Sequence, residues 1–535
     1  MDRMEPVDLN AAADAYAAAP LLNCLLREAA EPAGPSGPAG EAVHRLRGSG
    51  RLLRVRGGRR PARPELRTAN GWQPLSHTEL VKLVSDELGR FTGVTNDELP
   101  VEITDSRDAL VALLRARAAA EPPVDPYMLS EQSLVTGHPH HPAPKARGGA
   151  PAGSWLPYAP EAHARFPLVF LGLREDQGVE EGGRAVTEAI DSLADLLDGP
   201  RPPSGYRLLP AHPWQLDLVA DRPAVREAFA DGRLLRLGGS RRPVWPTASI
   251  RTVHVPGPGP GPGNAPDSGT GTGTEADLFV KFSLDVRITN DVRRLWRHDL
   301  LALRRADAAV EAGFAALRAT GSDAAWLADR GYRTAAFAFE ELAVLVRDGL
   351  RAHTLPGATP LLAAALAEGA PGTPPAGAAD PLAWWRAYLR QVVPPVLELF
   401  ARHGVVLEAH LQNTLVAVDA AGMPVQALFR DAEGVKLLPD VSRTDAWERL
   451  VYCLVVNNLS EIAGALADRY PDISPLLWPA VREELLRYEA RRGLPEIAAL
   501  LAAPALPAKT NLLLRWTRAD GADARYRPLP NPLLG

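Results

Sequence analysis

The amino-acid sequence predicts an α+β fold with at least three lobes, and three observations carry that reading. At 535 residues the chain exceeds what one hydrophobic core holds, since domains run to about 150 residues. Apolar residues recur at helical spacing to about residue 120 and again from residue 324 onward. Between these regions, and once within the last, short runs of strand formers are bounded by turn residues.

The first lobe, residues 1–122, is expected to be mainly helical. Its clearest segment, "SHTELVKLVSDELGRF", opens at Ser76, whose side chain can cap a first turn. Residues 123–322 mix strands and helices. There "ASIRTVHV" and "DLFVKFSLDVRI" read as two arms of one hairpin. Ser249 and Arg251 would share a face of the first arm, and Lys281, Ser283, Asp285 and Arg287 a face of the second. Thr289-Asn290-Asp291 then reads as a helix start, with Arg293, Arg294 and Arg297 in its first turns. In residues 323–535 helices dominate. "DPLAWWRAYLRQVVPPVLELFARHG" has Asp380 as a cap, Pro381 in the first turn and Gly404 at the end, while Pro394-Pro395 predicts a kink or break. A second hairpin is expected from residues 414–418 and 424–429 about a turn at 419–422. Three stretches, 31–40, 256–277 and 368–380, are rich in Pro, Gly, Ser and Thr and read as mobile surface loops.

Composition excludes several classes. Lys plus Arg number 59 against 64 Asp plus Glu, a net charge of −5, which implies no nucleic-acid partner. Cys24 and Cys453 are the only cysteines, too few for a disulfide framework or a Cys-based zinc site, and they fit a reducing compartment. No uninterrupted apolar run reaches the length of a membrane span and the start lacks a signal-peptide pattern. A cytoplasmic protein without a membrane partner is expected.

Three constellations bear chemistry. In "EQSLVTGHPHHPAPKARGG", His138, His141, Lys145 and Arg147 are candidate donors to an anion; a solvated basic loop and a histidine metal site are the competing readings. In "SIRT" and "KFSLDVRITNDVRR", arginines at a helix start favour an anionic ligand, with Arg251 and Arg293 the candidates and Arg294 and Arg297 open to pairing with carboxylates. The second hairpin brings Asn413 and Asp431 together at its open end. They offer the hard oxygens that Mg²⁺ prefers, with Glu408 or Glu433 completing the shell, and His410 beside them can bind or polarise a substrate. "HPWQ" at 212–215 and "KTNLLLR" at 509–515 are weaker signals; Lys509 and Arg515 stand out as charges in apolar context.

Together "GHPHHPAPKARGG", "HPWQ", "SIRT", "KFSLDVRITNDVRR", "HGVVLEAHLQNTLV", "FRDAEG" and "KTNLLLR" resemble the IucA/IucC family of NRPS-independent siderophore synthetases, in family order from about residue 131 to 515. The resemblance implies a cupped hand of thumb, fingers and a distantly kinase-like palm. It implies a ligase dependent on ATP and Mg²⁺ that adenylates a carboxylate such as citrate, releases pyrophosphate, and joins the acid to an amine or hydroxyl nucleophile. A homodimer is also implied. Carried onto this chain, His410, Arg293 and Lys281 would be catalytic. His138, Lys145, Ser249, Arg251, Thr252, Thr289, Asn290, Gln412, Asn413 and Asp431 would hold the nucleotide, and Asn413, Asp431, Glu408 and Glu433 the metal. Residues 1–122 carry no motif of the family. Two other functions fit the same residues: a kinase-like phosphotransferase, and a nucleotide- or siderophore-binding protein without turnover.

Overall fold

The computed structural model describes residues 8–34, 37, 40–257, 277–370, 373–375, 377–519 and 526–534. The cap at Ser76 forms as the sequence implies. Its hydroxyl accepts the N–H of Glu79, the Glu79 carboxylate accepts the N–H of Ser76, and the helix His77–Thr92 ends at Gly93 with φ 72°. Helices Leu9–Ala29 and Glu98–Ala119 accompany it. Between the first two helices lies an element the sequence reading omitted: a five-stranded antiparallel meander, Ala30–Pro32, Ala42–Leu46, Leu52–Arg56, Ala62–Thr68 and Gly71–Pro74. Its inner face carries Leu46, Leu53, Val55 and Leu66 against the helices. The outer positions are largely arginine and glutamate, so the run reads as polar even though its alternation is that of a half-buried sheet.

The expected first hairpin forms, with Thr252–Val255 antiparallel to Leu278–Phe282 and Thr252 opposite Lys281. Its arms are shorter than expected. Residues 249–251 make a tight turn in which the Arg251 N–H donates to the Ser249 carbonyl at 2.7 Å and Ile250 has φ 60°. Ser249 and Arg251 therefore leave a turn and not a strand face. The second arm leaves the sheet after Phe282, so the alternation does not reach Arg287. Residues 287–292 form a small hairpin with Thr289 and Asn290 at its tip, Thr289 having φ 61°, and the helix starts only at Arg297. The expected helix start at Thr289 is thus a two-residue turn, whose positive φ a helix would not allow. The stretch 256–277 lies almost wholly outside the described residues.

Both arms join a six-stranded antiparallel sheet in the order Trp245–Pro246, Thr252–Val255, Leu278–Phe282, Val344–Asp348, Asp329–Ala335 and Gly178–Glu181. Strands from either side of residue 322 share this sheet, so the fold does not divide at that residue. A four-stranded sheet follows, in the order Ala325–Leu327, Pro424–Arg430, Thr414–Val418 and Thr359–Leu362. Its central pair is the second hairpin in the register expected, Thr414 opposite Phe429, with the Gly422 N–H closing the turn onto Asp419.

The helix Pro381–His403 is capped by Asp380 and ends at Gly404, as the sequence indicates, but it runs through Pro394-Pro395 without a break. Val392, Val393, Pro395 and Val396 are all buried there, so tertiary packing outweighs the lost backbone bonds. The helical run Arg443–Arg469 is apolar and long enough to span a membrane by composition, with mean hydropathy 1.5, yet 72% of that window is buried inside the fold. The stretch at 368–380 is partly anchored: Thr373 is buried, and Tyr470 donates to the Pro375 carbonyl at 2.9 Å.

His212, from "HPWQ", is a core residue. Its Nδ1 caps the helix Pro213–Val219 by accepting the Trp214 N–H, and its ring sits 4.9 Å from Phe166 and 5.1 Å from Tyr158. Burial pushes its pKa from 6.5 down to about 3. The unfolded chain therefore binds one more proton here between those values, and stability falls as pH drops through that window. Replacing His212 by Asn keeps a capping oxygen and removes the titration. Urea midpoints between pH 4 and 6 should show the slope of unfolding free energy reduced by about 1.4 kcal/mol per pH unit in His212→Asn; an unchanged slope refutes the assignment.

Candidate active site

A cavity of about 350 Å³ lies where the two sheets meet. The hairpin end supplies its floor. The Arg430 N–H donates to the Asn413 carbonyl at 3.2 Å, which sets Asn413 and Asp431 side by side. Asp431 Oδ1 accepts from Lys281 Nζ at 2.7 Å and from Arg347 at 2.9 Å. Arg347 is held in turn by both oxygens of Asp329, at 2.6 and 3.1 Å. Glu433 accepts from Lys281 at 2.6 Å and Arg251 at 3.0 Å. Burial alone would raise the Asp431 carboxyl, but Lys281 and Arg347 hold it well below the usual carboxylate range.

Three cations, Arg251, Lys281 and Arg347, are thus matched by three carboxylates. Arg293 is not. It donates to Thr289 Oγ1 at 2.5 Å and lines the cavity, with no carboxylate in ion-pair range among the described residues. Burial, and then the neighbouring Arg251, lower its pKa. A desolvated guanidinium without a counter-charge is a site for an anionic ligand. Arg294 takes the opposite course, bonded to both oxygens of Asp285 at 2.6 Å, and the exposed Arg297 lies over the Phe339 ring.

The histidines enter as neutral donors. His410 Nδ1 accepts the Gln412 N–H and His138 Nδ1 accepts the His140 N–H, which assigns the proton of each ring to Nε2. Burial lowers both pKa values, that of His138 to about 3. Both residues line the cavity, as do Ser249, Thr252, Thr289 and Gln412.

Other candidates are placed differently. Lys145 lines the cavity, but its ammonium is bonded to Glu161, which also takes Arg147 at 3.0 Å. Burial raises the Glu161 carboxyl, while Lys145 and Arg147 bring it to about 2. The basic loop is therefore largely neutralised from within. His141 and Asn290 form a structural relay: His141 Nε2 to Asn290, Asn290 to Asn511 of the "KTN" segment, and Asn511 to the His140 carbonyl. Asn290 and Glu433 are outside the set that lines the cavity. Glu408 is outside it too, bonded to Arg449, so it does not share a cavity-facing metal position with Asp431. Asp431 and the Asn413 amide do suit one Mg²⁺ whose remaining ligands come from phosphates, the usual donor set for that ion.

Sequence reasoning passed over several residues of the site. Arg347 follows the apolar run of the strand Val344–Asp348, and that charge was its available signal; Asp329 heads a strand that also carries Arg330 and Arg333 and offered no such signal. Glu131, fully buried, binds Arg430 at 2.6 Å, the Tyr127 hydroxyl at 2.7 Å and the Ala248 N–H at 2.9 Å, tying the "SIRT" turn to the hairpin. Arg59 and Arg60, from the arginine-rich turn of the first sheet, close a wall that also bears Glu368 and Glu461.

Residues 126–368 match the IucA / IucC family, and residues 382–524 match the family described as ferric iron reductase FhuF-like transporter. The chain is 28% identical over 458 residues to the L-2,3-diaminopropanoate–citrate ligase of Staphylococcus aureus, covering 76% of this chain and 75% of that protein. It is 28% identical over 488 residues to the rhizobactin siderophore biosynthesis protein RhbC of Rhizobium meliloti, again covering 76% and 75%. The fold superposes on ATP-bound aerobactin synthetase IucA of Klebsiella pneumoniae with TM-score 0.78, at 21% identity and covering 97% of this chain and 99% of that one. The histidine-rich loop and the "SIRT" segment both lie within residues 126–368, the stretch that matches the IucA / IucC family.

Proposed function

We propose that the protein is an ATP-dependent ligase of siderophore assembly, which adenylates a citrate-like carboxylate and condenses it with an amine. The observation that carries this is Arg293, a partly buried cation left without an ion pair among the described residues in a cavity where the neighbouring charges are paired. It would take the negative charge of the acid, with the Nε2–H of His410 donating to the same carboxylate. Lys281, Arg251 and the Asn413–Asp431 pair would face the nucleotide, with Mg²⁺ neutralising its phosphates when bound. A carboxylate oxygen attacks the α-phosphorus as pyrophosphate leaves. The amine nitrogen then attacks the acyl carbon, AMP leaves and a proton is released. Groups held in place around the cavity would supply this chemistry mainly by position and electrostatics. The amine would approach the wall where Arg59 is paired with Glu461 and Arg60 with Glu368, its ammonium group exchanging with an arginine at one of these carboxylates. In this reading the lobes are a thumb, fingers and palm around the cavity, and the protein is cytoplasmic and homodimeric.

A kinase-like phosphotransferase is less well supported. Phosphoryl transfer in kinases uses a catalytic-loop aspartate as base, whereas Asp431, Glu161, Glu368 and Glu461 are all ion-paired here.

Incubation with Mg·ATP, citrate and hydroxylamine should yield AMP, pyrophosphate and a hydroxamate. ADP as the product would replace this reading with phosphoryl transfer, and binding of ATP without consumption across a panel of acids would leave a binding protein. Arg293→Ala should lower kcat/KM for the acid at least ~100-fold, about 2.7 kcal/mol of transition-state stabilisation, with the thermal midpoint retained; a rate near that of the parent refutes the site. Glu461→Gln should raise KM for the amine by roughly tenfold, and an unchanged KM would remove that wall from amine recognition.

A further inference from the structure

The segment that carries His410, Gln412 and Asn413 has no strand ladder of its own. It spans residues 407–413, between the strands Val405–Val406 and Thr414–Val418, and its geometry must come from elsewhere. Part is local: the Asn413 N–H and the Thr414 hydroxyl both donate to the His410 carbonyl, at 3.0 and 3.1 Å. The rest comes from one side chain nearly fifty positions later. Asn458 Nδ2 donates to the Ala409 carbonyl at 2.9 Å and to Thr414 Oγ1 at 3.3 Å, so a single amide grips the chain on both sides of His410. Its Oδ1 accepts the Tyr388 hydroxyl at 2.5 Å.

Asn458 is fully buried, in the middle of the apolar run "VYCLVVNNLSEI". A buried amide is tolerated where its hydrogen bonds are made, and here both ends are engaged. The helix around it is also unusual: Tyr452–Leu459 is wound as a π-helix. Such turns are rare and concentrate at functional sites, since their looser hydrogen bonding persists only where the surroundings impose it. This winding presents two consecutive asparagines to the site region, Asn457 lining the cavity and Asn458 holding the loop beneath. Burial raises the pKa of Tyr388 well above the ordinary tyrosine range, so its hydroxyl stays a donor and fixes which way the Asn458 amide faces.

We infer that Asn458 is a positioning residue for the reaction, setting the direction of the His410 Nε2–H toward the acid through the Ala409 carbonyl and the Thr414 hydroxyl. The inference rests on the proposed role of His410 and adds to it the residue that makes that role possible. The test is kcat/KM for the acid in the hydroxamate assay, for Asn458→Asp and Tyr388→Phe, each alone and combined with His410→Ala. Asn458→Asp keeps the shape but turns the donor facing Ala409 into an acceptor. It should cost at least ~30-fold and Tyr388→Phe about 3- to 10-fold; in the His410→Ala background both losses should shrink below about threefold, because the group they position is gone. A merely structural role would multiply through that background undiminished, and that result overturns the inference, as does full activity in both single variants. If Asn458→Asp does not fold by thermal melting, Tyr388→Phe carries the same comparison. Full activity of His410→Ala alone would strike the His410 assignment, a failure visible separately from that of Asn458, and would take this inference with it.

Discussion

The ion pair between Lys281 and Asp431 joins the six-stranded sheet to the four-stranded one, and much of the site depends on that join. Lys281 belongs to a strand of the first sheet and Asp431 follows the last strand of the second. Arg347 repeats the connection from the neighbouring strand, with Asp329 behind it accepting from Arg347 at 2.6 and 3.1 Å and from the Ala432 N–H at 2.8 Å. Desolvating so many charges costs free energy that pairing seldom recovers in full, and apolar residues of similar volume would hold two sheets together at least as well. What the ion pairs supply is alignment: they fix the angle at which the hairpin end meets the cradle around Arg251.

Backbone strain concentrates at the same junction. Ile250, Thr289 and Asp431 line the cavity with φ of 60°, 61° and 82°, values that are costly for β-branched residues in particular. Each follows from a turn that aims an adjacent group inward. Ile250 lets Ser249 Oγ accept the Thr252 N–H at 3.1 Å, which points Arg251 across to Glu433. Thr289 offers its hydroxyl to Arg293. The strain is sustained by the surrounding sheets, whose strands near the site are almost continuously buried.

The second hairpin was legible in the sequence because its body is apolar, its turn is built from Asp419 and Gly422, and polar residues stop sharply at both ends. Antiparallel pairing then dictates that Asn413 meets Asp431. The first hairpin was legible for the same reason, but not the turn at 249–251, since nothing in Ser-Ile-Arg-Thr announces that an isoleucine will take positive φ. The meander of the first lobe was missed because arginine fills its outward positions and masks the alternation. Arg347, Asp329, Glu131 and Asn458 were missed because the partner of each lies far along the chain, and only the fold brings the two together. Lys145 shows the converse: its exposure to solvent or ligand was inferred from its neighbours in sequence, whereas Glu161 reaches it across sixteen positions.

In the proposed reaction, the distribution of charge in the cavity would favour the acid over another anion at Arg293. A phosphate chain bears several charges and matches the cluster of Arg251, Lys281 and Arg347 around Asp431, where a nucleotide would exchange with carboxylates already present. Arg293 stands at the edge of that cluster beside Thr289, with neutral histidines in the same cavity. A neutral Nε2–H adds direction without adding charge, so a carboxylate bound there keeps enough electron density on the oxygen that must attack. A doubly charged cradle would bind the same carboxylate more tightly in the ground state and make it a poorer nucleophile, which is binding energy that does not lower the barrier. The neutral state of His410 and His138, whose pKa values are lowered by desolvation in the cavity wall, would therefore be as much a part of the proposed chemistry as the guanidinium they accompany.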